Sequence, residues 1–359
     1  MRQPNDTGRI AYLDGLRGIA IGLVVLFHAF VWWPDRVPYG NRFADFPLFH
    51  YGWLGVELFF LISGFVILMT LDACRSYRSF LYRRWLRLYP AMLFCSALVF
   101  VTAPLFLERP AGQPTWESLL PGLTFLQFDF WHRLLGDFPV LEGAFWSIFV
   151  EAKFYLLFGA LYFWLGRSRA IGGLIAIALV SMAIGAMGLP EAGLGKWLWL
   201  ANDASGAQFF GWFAAGALFY GYAESKDTRL LAAALGLAVL AAATIPYAHP
   251  DHKLVALLLV ALFVAAILSP SVQRLCSGRA LLFVGFASYP LYLMHENFMI
   301  ALIVKLGRLA PWIPGLLLPI LPIALVLGVS WLVARHVEPA LRRLIRALAP
   351  DPRDSVQPA

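Results

Sequence analysis

Arg17 and His28 stand eleven positions apart in a stretch of chain that is otherwise almost entirely apolar. On a helix that spacing brings the two side chains to within about 20° of one face, separated by a rise of ~16.5 Å. One stripe then carries a permanent cation at one end and an imidazole at the other. Asp14, three residues before Arg17, is placed to pair with it. An imidazole beside a carboxylate is the equipment of a general base, because the carboxylate fixes the tautomer and stabilises the imidazolium. Glu57 and Glu151 lie in two further apolar stretches. If all three stretches cross a bilayer, Glu57 and Glu151 sit ~6 Å and ~9 Å below its outer boundary, against ~7.5 Å for His28. The competing reading of His28 is a hydrogen bond between helices with no chemistry attached. Matched depth favours the base.

Phe80–Tyr89 reads FLYRRWLRLY and holds a second group. Leu81, Trp85 and Leu88 recur at helical spacing and form an apolar face suited to a membrane interface. Arg84 and Arg87 share the opposite region, with Arg83 one turn from Arg87. Guanidinium forks suit phosphates, while a plain cluster of this kind also anchors to lipid headgroups. Arg17 at the same end of the membrane inclines the reading toward a phosphate-bearing ligand such as a coenzyme. No glycine-rich phosphate loop supports ATP or a dinucleotide. His295, followed by Glu296, lies near mid-membrane, and pocket lining and a satisfied helix contact are both open for it. Gly52, Gly55 and Gly64 read as close helix packing, and Lys153 as a snorkelling or paired lysine. Cys74, Cys95 and Cys276 are too scattered to suggest a disulfide or a metal site.

These residues need an apolar frame to hold them, and the composition supplies one. The 359 residues are 60% hydrophobic and only 14% charged. Ordinary soluble domains carry about 25% charge, so a soluble globule is excluded, as are disordered and disulfide-framework classes. We expect an all-α, polytopic transmembrane bundle of about ten spans: Leu13–Trp33, Trp53–Leu71, Pro90–Leu107, Phe145–Leu165, Ala170–Leu189, Ala207–Ala223, Leu230–Ala248, Lys253–Pro270, Leu281–Val304 and Ala310–Val333. With the N-terminus inside, 18 of the 28 Lys and Arg fall in cytoplasmic segments and 8 outside, which places both termini in the cytoplasm. The net charge of +7 is therefore a topology signal and not a nucleic-acid surface. The first apolar stretch carries Asp14, Arg17 and His28 and lacks a small-residue cleavage site, so it reads as a retained span. Residues 1–349 are expected to form one membrane domain and 350–359 a short polar tail.

The blocks IAYLDGLRGIAIGLVVLFH (10–28), GWLGVELFFLISGFVI (52–67), FLYRRWLRLYP (80–90), FWSIFVEAKFYLLFG (145–159) and SYPLYLMH (288–295) occur in this order. The sequence resembles, on these blocks, the acyltransferase-3 family of integral membrane O-acyltransferases. The resemblance puts the family's Arg-x10-His on Arg17 and His28, its RxxR on Arg84 and Arg87, and its W-S-x3-E on Trp146, Ser147 and Glu151. Relatives often have a second acid after that Glu; here the position is Ala152, followed by Lys153. The chain resembles the stand-alone type, without an appended SGNH hydrolase-like domain.

The resemblance implies an acyl-CoA donor, commonly acetyl-CoA, with its phosphates on Arg17 and the Arg83/Arg84/Arg87 cluster. His28, supported by Glu151, would deprotonate a hydroxyl on a carbohydrate acceptor at the extracytoplasmic side. Asp14, Glu57, Trp146, Ser147 and His295 are auxiliary candidates, and no metal is implied. The location implied is the bacterial cytoplasmic (inner) membrane, as a multi-pass protein, with a role in polysaccharide O-acetylation. The alternative is a transporter or flippase that uses the polar stripe as a substrate path. A direct transfer and an acyl-enzyme relay are both open.

Overall fold

The computed structural model describes residues 10–187, 193–245 and 248–349. The proposed tail lies outside them, as do the last residues of the fifth span. Helices make up nearly all of the described chain, and no strand occurs among the described residues. A chain in hydrocarbon must satisfy its backbone polar groups internally, and a continuous apolar run does so as a helix. The principal helices are α1 (Ala11–Phe27), α2 (Gly55–Asp72), α3 (Tyr77–Thr102), α4 (Trp146–Leu165), α5 (Arg167–Ala186), α6 (Phe210–Ser225), α7 (Thr228–Ala243), α8 (Pro250–Leu268), α9 (Arg279–Met294), α10 (Asn297–Leu309), α11 (Ile320–Leu332) and α12 (Glu338–Leu348).

Seven helical stretches are long and apolar enough to cross a membrane, and α7 and α9 are shorter apolar helices. The fold class is thus the expected polytopic helical bundle. Three of the expected spans differ in their limits. The third is not confined to 90–107: α3 runs unbroken from Tyr77, so the arginine segment and the span are one helix with Pro90 inside it. The ninth is two helices, because Glu296 leaves the helical region at φ −89°, ψ −93°. The tenth begins at Ile320, since Pro311, Pro314 and Pro319 remove amide donors from the stretch before it. It then continues through a π-helical turn, Val333–Val337, into α12.

The chain divides into two compact units, residues 1–55 with 85–149 and 276–350, and residues 56–84 with 150–275. In the first unit, α1 packs along α9 at backbone contact distance. A Cβ added at Gly285 would lie 1.9 Å from the Asp14 carbonyl oxygen, and one at Gly18 would lie 2.4 Å from that of Leu281. Only glycine permits that approach. Gly52 meets Leu23 in the same way, and in the second unit Gly64 meets Phe213, as the sequence suggested for both. The second unit ties α2, α4, α5 and α6 together at one end. Arg167 bridges Asp72 and Glu224, and the hydroxyls of Tyr162 and Tyr220 donate to those two carboxylates.

Gly285→Ala should lower the thermal stability of the detergent-solubilised protein by about 1–3 kcal/mol, the usual cost of forcing carbon into a closed contact. Gly22→Ala, on the same α1 but with nothing within 4 Å of the added carbon, should leave the melting temperature unchanged. Equal melting of the two variants would contradict the close packing of α1 on α9.

Candidate active site

His28 begins a π-helical turn, His28–Trp32, that follows α1 directly. Such turns displace a side chain from the regular helical register and recur at functional sites. Its Nδ1 lies 2.9 Å from the Val24 carbonyl oxygen, one turn back. A carbonyl can only accept, so Nδ1 carries the proton and Nε2 keeps its lone pair. The ring retains some accessible surface. This is the state a base must be in before it takes a proton.

The neighbour of His28 is His295, from the break between α9 and α10. The two rings meet edge to face with centroids 4.6 Å apart. His295 is fully buried, and its Nδ1 lies 2.7 Å from the Tyr292 carbonyl oxygen. The Tyr292 ring lies 5.0 Å away, and its hydroxyl donates to the Ala144 carbonyl at 2.8 Å while meeting Ser147 Oγ at 2.7 Å. His295 thus makes a helix-end hydrogen bond through Nδ1 while its ring lies beside that of His28.

A helix broken amid apolar neighbours leaves amide groups without partners, and carboxylates fill that need here. Glu142 accepts from the Asn297 and Phe298 amides, at 2.7 and 3.2 Å, and so caps α10. Glu296 accepts from the Ala144 amide at 2.5 Å, at the turn that leads into α4. Each carboxylate thus serves the backbone beside the other. Arg109 is buried against them, donating to the carbonyls of Gly112 and Leu141 at 3.1 and 2.7 Å, with Nη1 3.8 Å from Glu142. Burial pushes the Glu142 carboxyl up to about 8, although Arg109 and the two amides pull it down. Burial also holds Arg109 below its ordinary value, against the pull of Glu142 and Glu296.

At the other end of α1, Arg17 pairs with Asp14 at 2.8 Å, as its spacing suggested. Arg87 sits 3.8 Å from Glu338 and over the ring of Tyr289 at 5.6 Å. Arg342, on α12, donates to Glu338 and to the Arg87 carbonyl, and adds a cation that spacing in the sequence could not place there. In the second unit, Arg84 donates to Thr70 Oγ1 at 2.9 Å, and Arg83 is half-buried one position before it. Glu57 is buried there, and Glu151 accepts from Ser63 Oγ at 2.5 Å. Lys153 is paired, donating to the Ala204 carbonyl. Trp146 is partly exposed next to Ser147.

Within the first unit, then, the His295 ring stands beside that of His28, Tyr292 stands beside His295, and Ser147 meets the Tyr292 hydroxyl. Sequence reasoning did not select Glu142, Arg109, Tyr292 or Arg342 for the site. Tyr292 lies inside the SYPLYLMH block, so a signal existed for it. Arg109 and Glu142 lie in what reads as an ordinary polar loop, and no local pattern marks them.

Fold and site define a polytopic helical membrane protein with two neighbouring imidazoles, one half-buried and one buried, near a helix break. Residues 10–335 match the family described as Acyltransferase domain, and the chain belongs to that family. It is 27% identical over 189 residues to the O-acetyltransferase OatA of Staphylococcus aureus, covering 48% of this chain and 28% of that protein. It is 28% identical over 169 residues to the acyltransferase MdmB of Streptomyces mycarofaciens, covering 44% and 41%. A putative acetyltransferase of Acidianus two-tailed virus is 27% identical over 154 residues, covering 43% and 40%. The chain thus spans less than half the length of each of these relatives. No solved structure matches it.

Glu142→Ala would strip the acceptor from two buried amides, at about 1–3 kcal/mol for each group left unpaired, and should lower the melting temperature sharply. Glu142→Gln keeps one acceptor oxygen and should be milder. A carboxyl raised in the folded state stabilises while protonated. Wild-type stability should therefore fall as pH rises from the unfolded value near 4.5 through about 8. Thermal melts across that range should be flatter for Glu142→Gln; parallel curves would show that Glu142 does not titrate there.

Proposed function

We propose that the protein is a multi-pass O-acyltransferase of the bacterial cytoplasmic membrane. It moves an acyl group, acetyl in the first instance, from acyl-CoA on the cytoplasmic side to a hydroxyl on a sugar at the other side. Membership of an acyltransferase family supports the reaction class, and the acetyltransferase names of relatives support the acetyl group. The observation that carries the reading is the tautomer of His28, whose Nε2 is left as a free lone pair on a partly accessible ring.

In a direct transfer, Nε2 takes the hydroxyl proton as the acceptor oxygen forms its bond to the thioester carbonyl carbon. The tetrahedral intermediate then collapses, the carbon–sulfur bond breaks, and the thiolate of CoA takes the proton back from the imidazolium. His28 ends the cycle neutral. General bases of this kind contribute about 10²–10⁴-fold. The donor's phosphates would lie on Arg17, Arg83, Arg84 and Arg87, whose guanidiniums stay charged at any working pH. Arg17 and Arg87 already hold carboxylates, Asp14 and Glu338, so phosphate would share or displace these partners. Glu151, which the family's W-S-x3-E motif marks, remains a proposed catalytic residue, and Ser63 donates to its carboxyl.

His28→Ala should leave the melt of the purified protein unchanged while acetyl transfer, measured as acetyl-CoA-dependent esters on surface glycans by mass spectrometry, falls at least about 100-fold. A fully active His28→Ala protein would sink the mechanism. Arg17→Ala and Arg87→Ala should each raise KM for acetyl-CoA about ten-fold, the worth of one charge-assisted hydrogen bond. Glycan transport without any acetyl-CoA consumption would favour the transporter reading.

A further inference from the structure

His295 has two nitrogens and only one of them is explained by the fold. Its Nδ1–H donates to the Tyr292 carbonyl, which satisfies an oxygen released where α9 ends. Its Nε2 is buried and has no hydrogen-bond partner among the described residues. A buried polar atom without a partner is costly, and its retention calls for a reason beyond packing. The ring that faces it is that of His28, 4.6 Å away and at 90°. Both imidazoles are held as Nδ1–H tautomers by main-chain carbonyls, so neither can donate from Nε2. His28 is half-buried, whereas His295 is fully buried.

We infer that His295 is the positioning residue of the His28 base, holding its ring edge to face and remaining neutral to stabilise the imidazolium that forms on it. The inference rests on the function proposed above. Two imidazoles this close in an apolar site cannot both carry charge. The pair therefore takes up only one proton beyond its two Nδ1 protons: it arrives from the acceptor hydroxyl at His28 Nε2 and leaves to the CoA thiolate. A neutral ring with an electron-rich face or lone pair is a favourable neighbour for a cation. Glu296, the next residue, is fixed by the Ala144 amide and so holds the break at which His295 sits. Tyr292 packs against His295 and is itself pinned by Ser147 and Ala144, which holds the His295 ring in place.

The test is a substitution that keeps the structural nitrogen and removes the other. In His295→Asn the side-chain amide can still donate to the Tyr292 carbonyl, but nothing occupies the place of Nε2. With the full chain in membranes and acetyl-CoA as donor, kcat should fall at least about 100-fold, with KM for acetyl-CoA within two-fold of wild type and an unchanged melt. His295→Gln, which places an amide near the lost Nε2, should recover part of kcat. Wild-type kcat in His295→Asn would overturn the inference and leave His295 as a helix-end cap. A raised KM with normal kcat would overturn it too, since it would place His295 in donor binding. Should His295→Asn melt early, His295→Gln becomes the deciding variant, and wild-type kcat there likewise overturns the inference. His28→Ala is run alongside: if it stays active, it is the proposed base that fails, whatever His295 does.

Discussion

A helix that breaks among apolar neighbours must find partners for the amides it releases, and the first unit is organised around meeting that demand. The break falls at Glu296, between α9 and α10. Glu142 takes the amides of Asn297 and Phe298, and Glu296 takes the amide of Ala144. Two carboxylates from distant parts of the chain thus cap each other's backbone, with Arg109 buried against them. Hydrogen bonds in a dry interior are the ones most expensive to lose, because nothing replaces the missing partner. The exchange fixes the break from which His295 projects, alongside the ring's own bond to the Tyr292 carbonyl.

The second requirement is that α1 reach His295 with its own imidazole. Glycines at 18 and 285 let the backbones of α1 and α9 touch, so the two helices are set by main-chain contact rather than by adjustable side chains. His28 then leaves α1 at a π-helical turn, with its ring fixed by Val24. Rigidity of this sort suits a base, whose usefulness depends on holding one nitrogen at a constant place. The cationic end is built differently. Arg17, Arg87 and Arg342 are shared among Asp14, Glu338 and a main-chain carbonyl, and Arg87 is two-fifths exposed. Such pairs are weaker and exchangeable.

Much of this was legible in the residues alone. The apolar runs announce a membrane bundle, because hydrocarbon leaves the backbone few alternatives. The eleven-residue interval between Arg17 and His28 announces a polar stripe, because helical periodicity is local. The five ordered blocks point to the family to which residues 10–335 belong. The ends of the third, ninth and tenth spans were less legible. Hydropathy does not register the continuity of α3 through Pro90, nor the departure from the helix at Glu296.

The division between the two kinds of information follows the range of the forces. Sequence by itself determined the fold class, the face shared by Arg17 and His28, and the Asp14–Arg17 pair, since each depends on neighbours within a few turns. Tertiary structure alone decided that His28 would meet His295, that Glu296 would take the Ala144 amide, and that Glu142 and Arg109 would brace the break. Glu296 and Ala144 are separated by 152 positions. No periodicity spans that distance; only the folded chain, by closing α1 on α9 and the Glu142–Ala144 segment on the break, brings those groups within reach.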